Sequence, residues 1–487
     1  MATTFTPIFD FNFARSRLLP PSLTFTRASP ATYIDALGRV ATLVAAAPSF
    51  TFDLTTKVSK GIVLEDAGTN YVRGDITALV VGTSNPAGYA GAQPGSTVVS
   101  ADLPGMQSGS LLKHQYSGAG DTNVCSQTLI GMPAGALICV SCYVLVPSGF
   151  AGTVGLTLEG NLDSNTIVVA PDLTRRNQWQ RISTRGTLPA GQTSAVMVLR
   201  ISGAGYIYSS CWQGEGGDVP TSFIFPGAVP TTRAATMLTM PVSGLLNPAK
   251  ATIFVEFDCP NTATGFGKVF SANDGANRNC AQLVVAGGAD SLYGELLTYS
   301  EQRFSGLQAG FVGGPTRAAL AWASNDAELA VNGVAFATDN SVIVPPLTTL
   351  AIGSDTFGLA GTFLQGTVAR IAIFGDRVPQ SVLADWTQNG LPQWIGRFAS
   401  ADLVQGVDNW LWTNTSDRAV TTNLRACGRV VQANISIAVG AGWTPQPGDY
   451  YAARAAVVDE TALVVGPGES VWVNPDQSSV SVRLHGY

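Results

Sequence analysis

Two carboxylates at i and i+2 on a strand are the residues of this chain with the plainest chemical meaning. A retaining glycosidase needs its two carboxyl groups about 5 to 5.5 Å apart, an inverting one roughly 6.5 to 9.5 Å, and period-2 spacing on one strand face supplies the shorter distance. Glu256 and Asp258, in FVEFDC, are such a pair. Pro260 and Asn261 follow, so no third acid extends the row, and the pair reads as the solvent side of a strand. Cys139 and Cys142 have the CxxC spacing of a redox or zinc half-site but lie in LICVSCYVLV, which reads as a strand. Positions i and i+3 of a strand point to opposite faces, so these thiols are expected to be plain core residues. The chain has 2 histidines, His114 and His485, too few for a Ser-His-Asp triad beside a His-rich metal site. His485 reads as a solvated strand residue. The acidic pairs Glu65-Asp66 and Asp459-Glu460 are isolated. Against the six to eight oxygens that calcium takes, they read as solvated turn or edge-strand residues. No phosphate-binding loop or dinucleotide fingerprint opens a helix after a strand. The expectation is therefore no catalytic, cofactor-binding or metal residue and no cofactor, with ligand-binding residues unassigned.

What remains is recognition by aromatic side chains, whose apolar faces stack on sugar rings. The chain has Trp 9 and Tyr 12. Trp410 and Trp412 lie two apart in NWLWTNT, and Trp322 lies in ALAWAS, an inner strand by its composition; core packing is the expected fate of most of them.

The elements that must position these residues are strands. Gly 53 and Pro 27, with abundant Thr, Val, Ala and Ser, describe short strands joined by tight turns. Charged residues make up 12%, about half the usual share, so Ser, Thr, Asn and Gln carry the surface. A net charge of −6 without a basic run removes the electrostatic term that dominates nucleic-acid binding. The opening MATTFTPIFDFNF has Asp10 where a secretory signal needs apolar residues. The apolar run Gly135 to Val146 is shorter than the roughly 20 residues that cross a bilayer. Neither export by a signal peptide nor membrane insertion is expected. The odd count of cysteines, Cys 7, leaves at least one thiol outside any intramolecular pairing.

Length alone predicts three or four units. Residues 1–75 hold short extended pieces (LTFTR, ATYID, SFTFD, GIVLED) between Pro, Gly and Ser-Pro punctuation and read as a docking and linker block. Residues 76–240 carry turn-separated alternating segments, among them SLLKHQYS, ALICVSCYVLVP and GYIYSSCWQ, and predict a jelly-roll sandwich. In 241–397 the dipeptide Asn332-Gly333 signals a type I′ hairpin. RVPQSVLADWTQNG predicts a short helix over 379–389, with Pro379 at its start, Val382, Leu383 and Trp386 on one face, and Asn389-Gly390 as its stop. Residues 398–487 read as a small antiparallel sandwich ending in a clean alternation, Val480, Val482 and Leu484 against Ser479, Ser481, Arg483 and His485. The fold class is all-β: jelly-roll and β-sandwich domains in series with one short helix.

Several blocks also resemble a known family. TFTRAS (Thr24 to Ser29), ATYID (Ala31 to Asp35), Gly38 and GIVLEDAGTNYV (Gly61 to Val72) are similar to the start of many tailed-bacteriophage and prophage appendage proteins. CWQGEGGDVPTSFIFPGAVPTTRAATML (Cys211 to Leu238) resembles the close of a carbohydrate-binding-module-like domain in the same proteins, matching at Pro220 to Ile224 and Thr232 to Ala235 and departing at Trp212. The late GTVARIAIFGDR strand and closing helix resemble laminin G-like and concanavalin A-like domains. The resemblance implies a virion structural protein: a tail-fibre, baseplate or collar appendage made in the host cytoplasm. It would contribute to host-surface glycan adsorption or particle assembly, without enzymatic activity. The implied partners are other virion proteins, further copies of this chain as a trimer, and host glycan. A capsid decoration or head-fibre protein and a polysaccharide depolymerase are the alternatives.

Overall fold

The computed structural model describes residues 5–391 apart from 75–83, 85–87, 91–95, 101–109, 161–167, 248, 261–264, 276–278, 299–300 and 340–342; after residue 399 it describes the backbone of strands alone. The protein is all-β, with several β-sandwiches and, among the described residues, one helix.

The largest body is a sandwich of an 8-stranded and a 7-stranded sheet. The first runs Val334–Asp339, Asp326–Val331, Gly313–Ala323, Lys250–Pro260, Gly366–Phe374, Ser59–Leu64 and Phe50–Phe52, and Phe9–Asn12 also pairs with Gly366–Phe374. The second runs Thr24–Thr26, Met237–Pro241, Thr349–Ile352, Phe266–Asn273, Cys280–Ala286, Ser291–Thr298 and Glu301–Ala309. Alternate residues of both sheets meet between them, with Phe13, Ile62, Leu64, Ile253, Phe270 and Trp322 in one buried cluster. The expected boundary at residue 75 is corrected here. Phe9 lies opposite Ile373, Phe50 opposite Ile62, and Phe25 opposite Leu238. The described part of the expected 1–75 block is thus not a separate unit: it adds strands to both sheets of the sandwich. The cause is that their apolar positions alternate and find partners far along the chain, which punctuation by Pro and Gly does not reveal.

The second body is inserted into the first. Its 5-stranded sheet runs Trp179–Thr187, Leu137–Leu145, Gly205–Gly216, Ser110–Tyr116 and Ser96–Ser100, and its 3-stranded sheet Asp121–Ile130, Ser194–Ser202 and Thr153–Glu159. Leu112, Leu129, Val140, Val144, Leu199 and Trp212 belong to the core cluster of this body. The chain enters through Gly68–Asn70 and returns through Thr231–Arg233, and these two strands pair with each other, Asn70 opposite Thr231. They form a neck between the bodies.

Local signals hold where they were read. Asn332 has φ 46 and Gly333 φ 90, the two positive values that a type I′ turn demands. The helix spans Gln380–Asn389, with Pro379 at its N-cap and Gly390 at its C-cap. Trp386 stacks on Phe374 with ring centroids 4.6 Å apart, and with Leu383 it joins a second cluster centred on Phe254.

Beyond residue 399 the strands form two 4-stranded sheets, Ser400–Asp402, Val480–Gly486, Val420–Gly428, Asp459–Val465 and Asn409–Thr413, Glu469–Pro475, Ala433–Ala441, Tyr451–Ala455. A register shift falls between Trp410 and Trp412. The side chains of Trp410, Trp412, Asp459, Glu460, Val480, Val482, Leu484 and His485 lie outside the described residues.

Candidate functional site

The residues read first as chemistry are engaged in structure. Glu256 Oε1 accepts from Arg317 Nε at 2.9 Å, and Asp258 Oδ2 lies 2.7 Å from Lys60 Nζ. Each carboxylate of the i, i+2 pair therefore faces its own cation. Cys139 and Cys142 are both buried and free. Cys142 is in the jelly-roll core. Cys139 feels Glu215, Asp218 and Arg185, which lie on the other side of the sheet, and burial pushes its thiol up to about 12. These are the opposite faces expected of i and i+3 on a strand. His114 is fully buried, with Nε2 2.6 Å from Ser209 Oγ, and desolvation lowers its pKa to about 3. Trp212 is 1% exposed and donates Nε1–H to Ser209 Oγ at 2.8 Å; it is a core residue. Trp322 is also fully buried.

Glu65 departs from its expected role. It is 7% exposed rather than solvated. Its carboxylate accepts from Ser222 N at 2.6 Å and Ser222 Oγ at 2.7 Å, and Arg233 Nη2 lies 3.3 Å away. Three donors compensate its desolvation, the condition for burying a carboxylate. Arg233, 2% exposed, also donates to the carbonyl of Asp66 at 2.7 Å. Arg27, 3% exposed, donates to Ser29 O, Ser49 Oγ, Val44 O and Ala47 O. Burial first, then the charge of Arg233, lowers its pKa to about 10. Asn70 donates to Trp212 O and Ile224 O and accepts from Val72 N and Gly214 N, so its amide satisfies four backbone groups at the neck. Glu215 accepts from Thr221 N and Oγ1 at 2.8 Å each. Thus Arg27 of TFTRAS, Glu65 and Asn70 of GIVLEDAGTN, Thr221 and Ser222 of PTSFIF and Arg233 of TTRAA converge on one buried polar junction. Their types were legible in the sequence; their meeting was not.

The open surface lies beside this junction, on the outer face of the 5-stranded sheet. On Gly205–Gly216, Ile207 points into the jelly-roll core, so by alternation Tyr206 and Tyr208 take the outer face. Half of that face is covered: Val40, Phe223, Tyr143, Leu145 and Trp179 form a cluster there, with Ile34 and Leu54 packed against it. The hairpin Ala31–Ile34 with Val40–Leu43 supplies part of the cover. Among the described residues nothing covers the other half. Tyr206 is 38% exposed, and its ring meets that of Tyr208 edge-on, 5.5 Å between centroids and 80° between planes. Lys113, directly opposite Tyr208 in the neighbouring strand, holds its Nζ 4.3 Å from the Tyr206 centroid. An exposed ring with a cation over its face and a second, half-buried ring edge-on beside it brings apolar surface and hydrogen-bond donors together. Sequence reading missed this strip because the alternation YIY is common to any two-faced strand. A Tyr-x-Tyr run in a strand whose other face is apolar was the available signal.

No protein-family profile matches the chain, and no curated protein is significantly similar to it. Among solved structures it is similar to a Ruminococcus gnavus IT-sialidase CBM40, at 16% identity and TM-score 0.26 over 30% of this chain and 86% of that one. The tandem CBM22-1–CBM22-2 domain of Paenibacillus barcinonensis Xyn10C shows 10% identity and TM-score 0.24 over 87% and 98%. The mouse laminin α1 chain, domains LG4-5, shows 8% and 0.23 over 51% and 78%. These likenesses extend no further than β-sandwich architecture.

Proposed function

We propose that the protein is a structural component of a tailed-bacteriophage particle, a tail-fibre, baseplate or collar appendage, and that it touches host-surface glycan through Tyr206, Tyr208 and Lys113. The carrying observation is that Tyr206 is exposed, with Lys113 over its ring and half-buried Tyr208 beside it, next to the part of the sheet face that is covered. The particle role is supported by the TFTRAS, GIVLED and PTSFIF blocks and by their use: they fasten the jelly roll to the sandwich. The reading is of a binding protein and not a depolymerase, since Glu256 and Asp258 each hold a cation. One stacked sugar ring binds weakly, and repetition around an oligomer, a trimer in this reading, raises the avidity by orders of magnitude.

The test is retention of the full-length protein on immobilised host surface polysaccharide. Replacing Tyr206 and Tyr208 together by Ala is expected to weaken retention about tenfold, as loss of two stacking faces predicts. Unchanged retention would sink the glycan reading. Release of reducing ends, lost in Glu256→Gln, would replace it with an enzyme. Absence of the chain from purified particles by mass spectrometry would remove the virion role.

A further inference from the structure

Beyond residue 399 the pairing register brings together two tryptophans that lie far apart in sequence. In NWLWTNT, period-2 alternation alone would set Trp410 and Trp412 on one face of a strand. The register shift between them breaks that alternation. Trp410 lies directly opposite Trp472 of Glu469–Pro475, and Trp412 lies opposite Val471. Residues directly opposite share a face, and neighbours along a strand take opposite faces. Trp410 and Trp472 therefore occupy one face of this sheet and Trp412 the other.

The two faces differ in composition. With Trp412 go Val471 and Val473 and, opposite these two in Ala433–Ala441, Val439 and Ile437. That is the apolar kind of face which a sandwich buries between its sheets. With Trp410 and Trp472 go Ser470, opposite Thr413 and Gly440, and Asn474, opposite Ser436. The register position beside Trp472 in Ala433–Ala441 is Ala438. Among the described residues one charged residue, Arg454, falls on this face, in the strand farthest from Trp410. Two adjoining tryptophans on a face otherwise made of small, hydroxyl and amide residues need a purpose other than solubility.

We propose that this face is the outer one and binds a neutral saccharide, with Trp410 and Trp472 as adjoining platforms for its rings. An indole offers a broad apolar surface to the C–H face of a sugar ring. Ser470, Asn474, Ser436 and Thr413 are of the types that exchange hydrogen bonds with sugar hydroxyls, and the small residues Ala438 and Gly440 keep the platform clear. A face with no acid and one distant cation selects a neutral ligand over a charged one. A second copy of the chain fits less well: two aromatic side chains bury about 300–500 Å², well under the roughly 800 Å² per partner of a standard protein contact. Tyr206 belongs to the inserted jelly roll, so the two sites stand or fall separately.

Isothermal titration calorimetry on the full-length chain tests the site, with maltohexaose, cellohexaose and N-acetylated chitohexaose as probes. The chain used already carries Tyr206→Ala and Tyr208→Ala, so that strip cannot supply the signal. At least one probe is expected to bind. Trp410→Ala and Trp472→Ala are each expected to weaken that binding about tenfold or more, whereas Trp472→Tyr, which keeps a ring, stays within a few fold of the parent. Absence of binding by all the probes at millimolar concentration overturns the proposal, and so does unchanged affinity in either Ala variant. If the Ala variants lose the cooperative unfolding transition, Ala438→Arg on the same face decides: a severalfold loss of affinity upholds the site, and full affinity overturns it. Sedimentation velocity covers the other occupant, since an oligomer that Trp410→Ala dissociates while sugar affinity is retained would replace the saccharide with a contact between copies.

Discussion

Single residues gain their meaning here from desolvation. Glu65 and Asp66 are neighbours in sequence, yet Glu65 is 7% exposed and ion-paired with a buried arginine, while Asp66 caps the backbone N–H of Gly361. Nothing in a Glu-Asp dipeptide marks which acid will be buried. His114 shows the same effect with a measurable consequence. The folded protein keeps its imidazole neutral down to about 3, against the ordinary value of 6.5, whereas the unfolded chain takes up the proton as pH falls below about 6.5. Its contribution is therefore fully present above that value and is lost as pH drops from about 6.5 toward about 3, at about 1.4 kcal/mol per pH unit. Glu215 works in the opposite sense, since its raised pKa relieves a burial penalty on acidification. Urea unfolding of the protein and of His114→Asn between pH 7 and 4.5 isolates the histidine: the gap between the two is expected to shrink as pH falls, and a constant gap would contradict it.

At the scale of elements, close approach decides what local pattern leaves open. Ser59–Leu64 joins the 8-stranded sheet beside Gly366–Phe374. Its Gly61 has φ +88, and a Cβ there would sit 2.1 Å from the carbonyl oxygen of Val368. That explains a glycine at the head of GIVLED. Gly61→Ala is expected to lower stability by at least about 2 kcal/mol, more than the roughly 1 kcal/mol that a positive φ costs alone, and denaturant unfolding measures it. A loss no larger than about 1 kcal/mol would mean that the two strands separate without cost. Elements fixed by near neighbours were legible beforehand. The Asn332-Gly333 hairpin, the helix Gln380–Asn389 and the opposite facing of Cys139 and Cys142 each depend on a few adjacent residues. The hairpin Ala31–Ile34 with Val40–Leu43 was readable as extended chain, but its seat on the jelly-roll face was not.

For the whole molecule, the consequence is a jelly roll inserted into a sandwich whose first strands come from the N-terminal segment. Phe11, Phe13, Leu23, Phe50, Ile62 and Leu64 all enter the sandwich core. At about 1.5–3 kcal/mol each, their burial is worth on the order of 10 kcal/mol, comparable to the whole stability of a typical domain. Deleting residues 1–64 is expected to abolish the cooperative unfolding transition and the near-UV circular dichroism of the remainder. A remainder that still unfolds cooperatively at the parent's midpoint would restore the linker reading.

The sequence by itself determined the all-β class, the Asn332-Gly333 turn and the short helix, because these follow from composition and from periods of two or 3.6 residues. Tertiary structure alone decided which strands pair across the inserted jelly roll, which acid is buried, and which half of a two-faced sheet stays open. Those outcomes depend on partners distant in sequence, chosen by the joint burial of apolar faces and the mutual satisfaction of Glu65, Asn70 and Arg233, and no local pattern encodes such a choice.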